Sequence, residues 1–175
     1  MRLLIFIVVG VIGGLILLVG IVALIGSRLP KTHVASRSIL LRQSPQEVYA
    51  LVRDFGSAPQ WRSDVKQMEV EAPQGGPVYF REVGKNGTVN YELVEDVPGQ
   101  SMVTRIRDTD LGYSGQWTYL FTPESGGTRV TIREDGEVSN VVFRFMSRYV
   151  FGQTATIDSY LTSLAKRFGQ EAVPQ

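Results

Sequence analysis

At Val65 the chain changes period. From there to Val138 apolar and polar residues alternate in six runs: Val65–Ala72, Val78–Gly84, Thr88–Val97, Ser101–Asp108, Tyr113–Thr122 and Thr128–Val138. Each gap carries turn residues: Pro73-Gln74-Gly75-Gly76-Pro77, Lys85-Asn86-Gly87, Pro98-Gly99, Asp110-Leu111-Gly112 and Ser125-Gly126-Gly127. Asn86-Gly87 is a hairpin signal, and it also accounts for the Asn86-Gly87-Thr88 match to a glycosylation acceptor. Connections this short cannot hold a parallel crossover, so neighbouring strands must pair antiparallel. A seventh strand candidate, Val34–Arg42, precedes them.

Alternation assigns faces. Val89, Tyr91, Leu93 and Val97 share one side, as do Tyr113, Gly115, Trp117, Tyr119 and Phe121. Ser114, Gln116, Thr118 and Thr122 are left to water. Val130 and Ile132 point opposite to Arg129, Thr131 and Arg133, and the same rule sends Glu134 to the apolar side, which is unusual for a carboxylate.

Such a sheet needs a cover. From Asn140 to Phe168, steps of three or four residues pass through Val142, Met146, Tyr149, Gln153, Ile157, Tyr160, Leu164 and Phe168. That spacing predicts one face of a helix about 40 Å long, capped by Ser139 or Asn140 and ended by Gly169. Arg144 and Arg148 fall off the stripe and read as a solvated face or an anion-binding pair. Gly152 falls inside the predicted helix. Nearer the start, Ser44-Pro45-Gln46-Glu47 is a capping box opening a helix with Val48, Leu51, Val52 and Phe55 on its apolar side. Ala58-Pro59-Gln60-Trp61 then turns a tryptophan toward the core.

Leu3 to Ile25 carries no charge and is long enough to span hydrocarbon. A cleaved signal peptide would show a shorter apolar core and a small-x-small site, which Ile25-Gly26-Ser27-Arg28 is not. We therefore expect a retained, single-pass membrane anchor. Basic residues on both flanks leave open which side the folded domain occupies. Gly10 and Gly14 form a GxxxG, so a weak helix-mediated dimer is one expected association. The expected division is anchor 1–27, juxtamembrane tether 28–36, folded domain 37–169 and tail 170–175. Of 18 basic residues one is Arg2, so the rest of the chain balances 17 against 17 acidic ones. No basic patch argues for nucleic acid. With no cysteine and His33 as the single histidine, placed in the tether, a transition-metal site is not expected.

The opening strand, the SPQEVYALVRDFGSAPQW segment from Ser44 and the GQWTYLFTPESGGTRVTIREDGEV hairpin from Gly115 resemble the SRPBCC superfamily of START-like, helix-grip proteins. The likeness is greatest to its polyketide cyclase/dehydrase and lipid-transport group and covers about Val34 to Phe168. It implies an α+β fold in which a curved seven-stranded antiparallel sheet grips the long last helix, with a cavity between them. Two small helices would close one end. The group has no universal catalytic motif, so no catalytic residue and no cofactor are carried over. The apolar N-terminal stretch departs from the usual soluble member.

Cavity candidates are Trp61, Tyr91, Trp117, Tyr119, Glu134, Phe143, Met146, Tyr149 and Gln153. The aromatics suit either ordinary core or a ligand wall. Glu134 and Gln153, if buried, need partners and would be the polar anchors of a ligand or a general acid/base. The expected function is a membrane-tethered binding or transfer module for an apolar small molecule: a lipid, a quinone or a polyketide-like compound. A cyclase/dehydrase-type enzyme and an interaction domain with a filled core remain the alternatives.

Overall fold

The computed structural model describes residues 2–85, 87–171 and 173–175. Helix α1 (Arg2–Arg28) leads to strand β1 (Thr32–Leu41), helix α2 (Pro45–Arg53) and a 3-10 turn (Phe55–Gln60). Strands β2 (Val65–Glu71), β3 (Tyr79–Gly84), β4 (Gly87–Val97), β5 (Ser101–Ile106), β6 (Tyr113–Glu124) and β7 (Gly127–Val138) follow. Helix α3 (Val141–Met146), a π turn (Ser147–Phe151) and helix α4 (Ala155–Arg167) come last.

The seven strands form one antiparallel sheet in the order β1-β7-β6-β5-β4-β3-β2. Short turns produce the meander from β2 to β7, and β1 closes beside β7. Asn86 lies outside the described residues, but Gly84 and Gly87 pair across that turn. The strand-forming run at the N-terminal side begins at Thr32, so the strand candidate from Val34 extends back over Thr32 and His33, and residues 32–36 of the expected tether belong to the sheet. Antiparallel pairing with residues 133–137 of β7 holds them there.

Register fixes the inner face. One row across the sheet runs Arg37, Ile132, Tyr119, Met102, and the next runs Ala35, Glu134, Trp117, Thr104, Leu93. Simple alternation fails at one place. A register shift between Leu93 and Glu95 adds a residue to β4, so Val97 turns to the outer face and is exposed, against its expected position beside Leu93.

Helix α2 starts as its capping box dictates. Ser44 Oγ accepts from the Glu47 amide, and Glu47 Oε2 accepts from the Ser44 amide at 2.9 Å. Its Val48 and Val52 join the core, and Phe55 stacks on Phe80 with ring centres 4.0 Å apart. Helix α4 lies in the grip, with Ile157, Leu161 and Leu164 fully buried among Ile39, Leu41, Val130, Ile132 and Phe121.

The stripe from Asn140 to Phe168 is not one helix. It bends through the π turn and breaks at Gly152, whose φ of 80° and ψ of 145° are conformations that residues with a side chain rarely adopt. Thr154 then precedes a new helix. The break sets α3 apart from α4 and leans it on the end of α1. There a side chain at Gly26 would overlap the Val141 carbonyl, so the two backbones touch. Arg144, expected on a solvated face, is buried in this junction. Its guanidinium donates to the carbonyls of Val138 (3.0 Å), Ser139 (3.0 Å), Leu29 (3.0 Å) and Gly26 (3.2 Å). Two of these, Gly26 and Leu29, close the end of α1, where carbonyls lack the usual helical donor and Arg144 supplies one.

Helix α1 is long and apolar enough to cross a membrane, a property it shares with signal sequences. Along it, a Cβ at Gly10 or Gly14 would meet, beyond its own helix backbone, nothing among the described residues within 4 Å.

Candidate functional site

The inner face is aromatic at one end and polar at the other. At the aromatic end Tyr160, from α4, is the hub: Trp61, Trp117 and Tyr119 place their rings 5.3, 5.8 and 5.9 Å from it. The first two meet it edge to face, which suits the quadrupoles of the rings. Tyr91 stacks on Phe80 at 5.0 Å. Beneath the hub the buried Arg62 guanidinium sits 5.1 Å from the centre of the Tyr160 ring. It donates to Glu82 Oε2 and Asp64 Oδ2, each at 2.7 Å. Burial opposes the Arg62 charge, but Glu82 and Asp64 more than offset it and hold the group protonated.

The phenols here stay neutral. Burial pushes Tyr91, Tyr119 and Tyr160 well above the ordinary tyrosine range, and the Glu82 carboxylate adds to the effect in each. The Trp61 indole N–H is buried with no acceptor among the described residues. An unsatisfied donor beside three neutral hydroxyls gives this wall hydrogen-bonding capacity as well as apolar area.

At the other end, β1 brings His33 onto the inner face. Its Nε2 lies 3.2 Å from Glu134 Oε1, both side chains mostly shielded from solvent. The ring lies over Gly136, where a side chain would overlap it. Glu134 therefore finds its partner two residue pairs along the β1–β7 ladder, on the same face. Arg37, also on β1, donates to Asp158 Oδ1 (3.0 Å) and Thr154 Oγ1 (3.3 Å) and ties the sheet to the start of α4.

Beside His33 opens a cleft of about 310 Å³. Leu29, Pro30, Thr32 and Val34 form one wall; Arg144, Arg148, Tyr149 and Gln153 form the other. Gln153 accepts from Arg148 at 3.4 Å. A larger cleft, about 530 Å³, lies between Leu40–Arg42 and Gly169–Glu171 at the opposite end of β1. Its lining is mostly polar or glycine, with Arg42, Gln170 and Glu171 and no aromatic side chain, so the smaller cleft is the better candidate for an apolar molecule.

The cavity candidates thus separate into groups. Trp61, Tyr91, Trp117 and Tyr119 gather at the aromatic end, and Glu134 stands between that end and the cleft. Tyr149 and Gln153 line the cleft. Phe143 does not reach the interior: the break at Gly152 swings α3 outward, and the ring lies half-exposed against Tyr113 at 5.8 Å. Met146, on the same helix, is half-buried. Sequence reasoning left His33 in the tether and did not place Tyr160 or Arg62 at a site. Extending the Val34–Arg42 alternation by one residue would have placed His33 on the face of Ala35, and Tyr160 already stood on the apolar stripe. No local signal marked Arg62.

A curved antiparallel sheet of seven strands closed over C-terminal helices defines a helix-grip, START-like protein. The family model for polyketide cyclase / dehydrase and lipid transport matches residues 32–169, and the chain belongs to that family. No curated protein sequence matches. Among solved structures, a START superfamily protein from Mycobacterium smegmatis is 18% identical with a TM-score of 0.61, over 77% of this chain and 96% of that one. A protein from Thermus thermophilus is 23% identical with a TM-score of 0.61, over 78% and 95%. The di-domain ARO/CYC StfQ of the steffimycin biosynthetic pathway is 16% identical with a TM-score of 0.61, over 79% of this chain. The chain spans about half the length of that protein, 52%. At these identities the likeness is one of fold.

Proposed function

We propose that this chain is a membrane-tethered binding or transfer module for an apolar small molecule, of the lipid, quinone or polyketide-like kind. The observation that carries the reading is the cleft beside His33. Its Leu29, Pro30, Val34 and Tyr149 offer apolar wall, while Arg148, Gln153 and His33 offer charge and hydrogen bonds. That combination suits an amphiphile with an apolar body and a polar or anionic head. Its volume is near the lower end of ligand sites, which suits a small or partly inserted amphiphile. Retention of α1 is supported by Arg144, since cleavage after Ser27 would remove one of its carbonyl partners, Gly26.

Titrating the full-length chain in detergent with a fluorescent fatty acid tests this. Saturable binding is expected, weakened about tenfold or more, some 1.4 kcal/mol, by Val34→Trp, which puts an indole across the cleft. Absence of saturable binding by the wild type would sink the carrier reading.

One observation favours a second reading, acid–base chemistry of the cyclase/dehydrase kind: His33 and Glu134 are in hydrogen-bond contact next to the cleft. Glu134→Gln keeps the shape and removes the charge. If a β-hydroxyketone probe is turned over by the wild type and only bound by this variant, the pair is doing chemistry.

A further inference from the structure

The segment between α3 and α4 exposes an apolar surface that the fold leaves uncovered. Tyr149 is 60% exposed, Val150 56%, Phe151 57% and Phe143 40%. Scattered exposed apolar residues are ordinary, but three consecutive ones on a π turn beside another aromatic form a patch.

Three observations say what covers it. The patch is continuous with α1: a Cβ at Gly26 would stand 3.5 Å from Phe145, and the Phe145 and Tyr149 rings are 5.1 Å apart. It also stands level with the end of the apolar helix. At 1.5 Å per residue the 27 residues of α1 exceed the roughly 30 Å of hydrocarbon by about 10 Å, so the turns that α3 touches belong at the membrane–water boundary. Finally, its charge has one sign. Residues 26–34 and 141–151 contain Arg28, Lys31, Arg144 and Arg148 and no acidic residue. Arg28, Lys31 and Arg148 are exposed, and the carboxylates that reach this segment come from β7, where Glu137 stands opposite Thr32 and Glu134 meets His33. Aromatic side chains beside cations are what the interfacial layer of a phospholipid bilayer receives.

We infer that the α3–π segment is a second membrane contact: Tyr149, Val150 and Phe151 enter the headgroup layer of the bilayer that holds α1, and Arg28, Lys31 and Arg148 meet lipid phosphates. Tyr149 and Arg148 also line the cleft, so its mouth opens at headgroup depth and a ligand enters from the lipid without crossing water. This rests on the membrane-tethered reading above, and the test separates the two.

The chain has no cysteine, so single cysteines report single positions. Full-length Tyr149→Cys, Phe151→Cys, Val19→Cys and Ser125→Cys variants are labelled with an environment-sensitive fluorophore. Each is reconstituted in phosphatidylcholine vesicles containing phosphatidylglycerol and quenched with nitroxide lipids. Ser125 stands at the far end of the 12-residue strand β7 from the junction. The inference expects position 149 and position 151 to be quenched roughly twofold or more beyond position 125, with blue-shifted emission. If position 19 is quenched while 149 and 151 match 125, the contact is wrong and the tether stands. If position 19 is not quenched either, both readings fall. All four positions are exposed, so folding is not at issue, and a melting curve for each variant verifies it.

Discussion

Neighbouring residues on β6 do opposite jobs, and substitution distinguishes them. Trp117 points inward against Tyr160 and Tyr119, whereas Gln116 pairs across the outer face with Arg105 and Asp135. Trp117→Ala should cost about 3 kcal/mol of unfolding free energy. Gln116→Ala should cost less than about 0.5 kcal/mol. Equal losses in denaturant titrations would mean the faces of β6 are exchanged. The tyrosines give a pH signature. Burial, followed by the Asp96 carboxylate, pushes Tyr49 up to about 12 from its ordinary 10.0. Burial likewise raises Tyr91, Tyr113, Tyr119 and Tyr160. A raised phenol favours the folded state while protonated. The stabilisation is therefore complete below about pH 10 and is lost as the pH climbs through the folded values. Tyrosinate absorbance from these five should rise together with loss of circular dichroism above pH 10; ionisation without unfolding would contradict the burial described.

At the scale of elements, the strands were legible because a period of two needs only neighbouring residues to declare it, and turn residues marked the ends. The Val34–Arg42 strand and the capping box at Ser44 were legible for the same local reason. What escaped was non-local. A stripe at helical spacing continues past Gly152 whether or not the backbone does, so periodicity could not reveal the break. The extra residue in β4 likewise leaves no mark in composition, yet it reverses Val97. Arg144 lies 115 positions from Leu29, whose carbonyl it holds, and its charge suggested water instead. The break has its own test. A side chain at Gly152 meets open space but must adopt a strained φ, so Gly152→Ala should destabilise the fold by about 1–3 kcal/mol. A stabilised variant would show that α3 and α4 can run on as one helix.

For the whole molecule, the family and the grip were readable from the Ser44–Trp61 and Gly115–Val138 segments, while at the polar end Glu134 and Gln153 were named and His33 was not. The aromatic wall follows from alternation within single strands. The His33–Glu134 pair requires knowing that the first and last strands lie side by side. The tether has a direct check: the intact chain should remain in the membrane pellet after alkaline carbonate washing, because α1 offers an uncharged stretch long enough to span. Recovery in the supernatant would remove the anchor from every part of the proposal.

Only Leu29 to Lys31 separate α1 from β1, and Arg144 clamps the carbonyls at that joint. Flexible leashes let a captive domain search a hemisphere; a joint of three residues, at most about 10 Å when extended, does not. For a tethered chain the consequence is kinetic. So tethered, the cleft would travel with its helix by lateral diffusion and turn about one axis at a constant height, like a lamp on a post. On the proposed carrier reading, an encounter with a donor or acceptor would then be a two-dimensional event, and only partners that present their cargo at that same height could exchange with it.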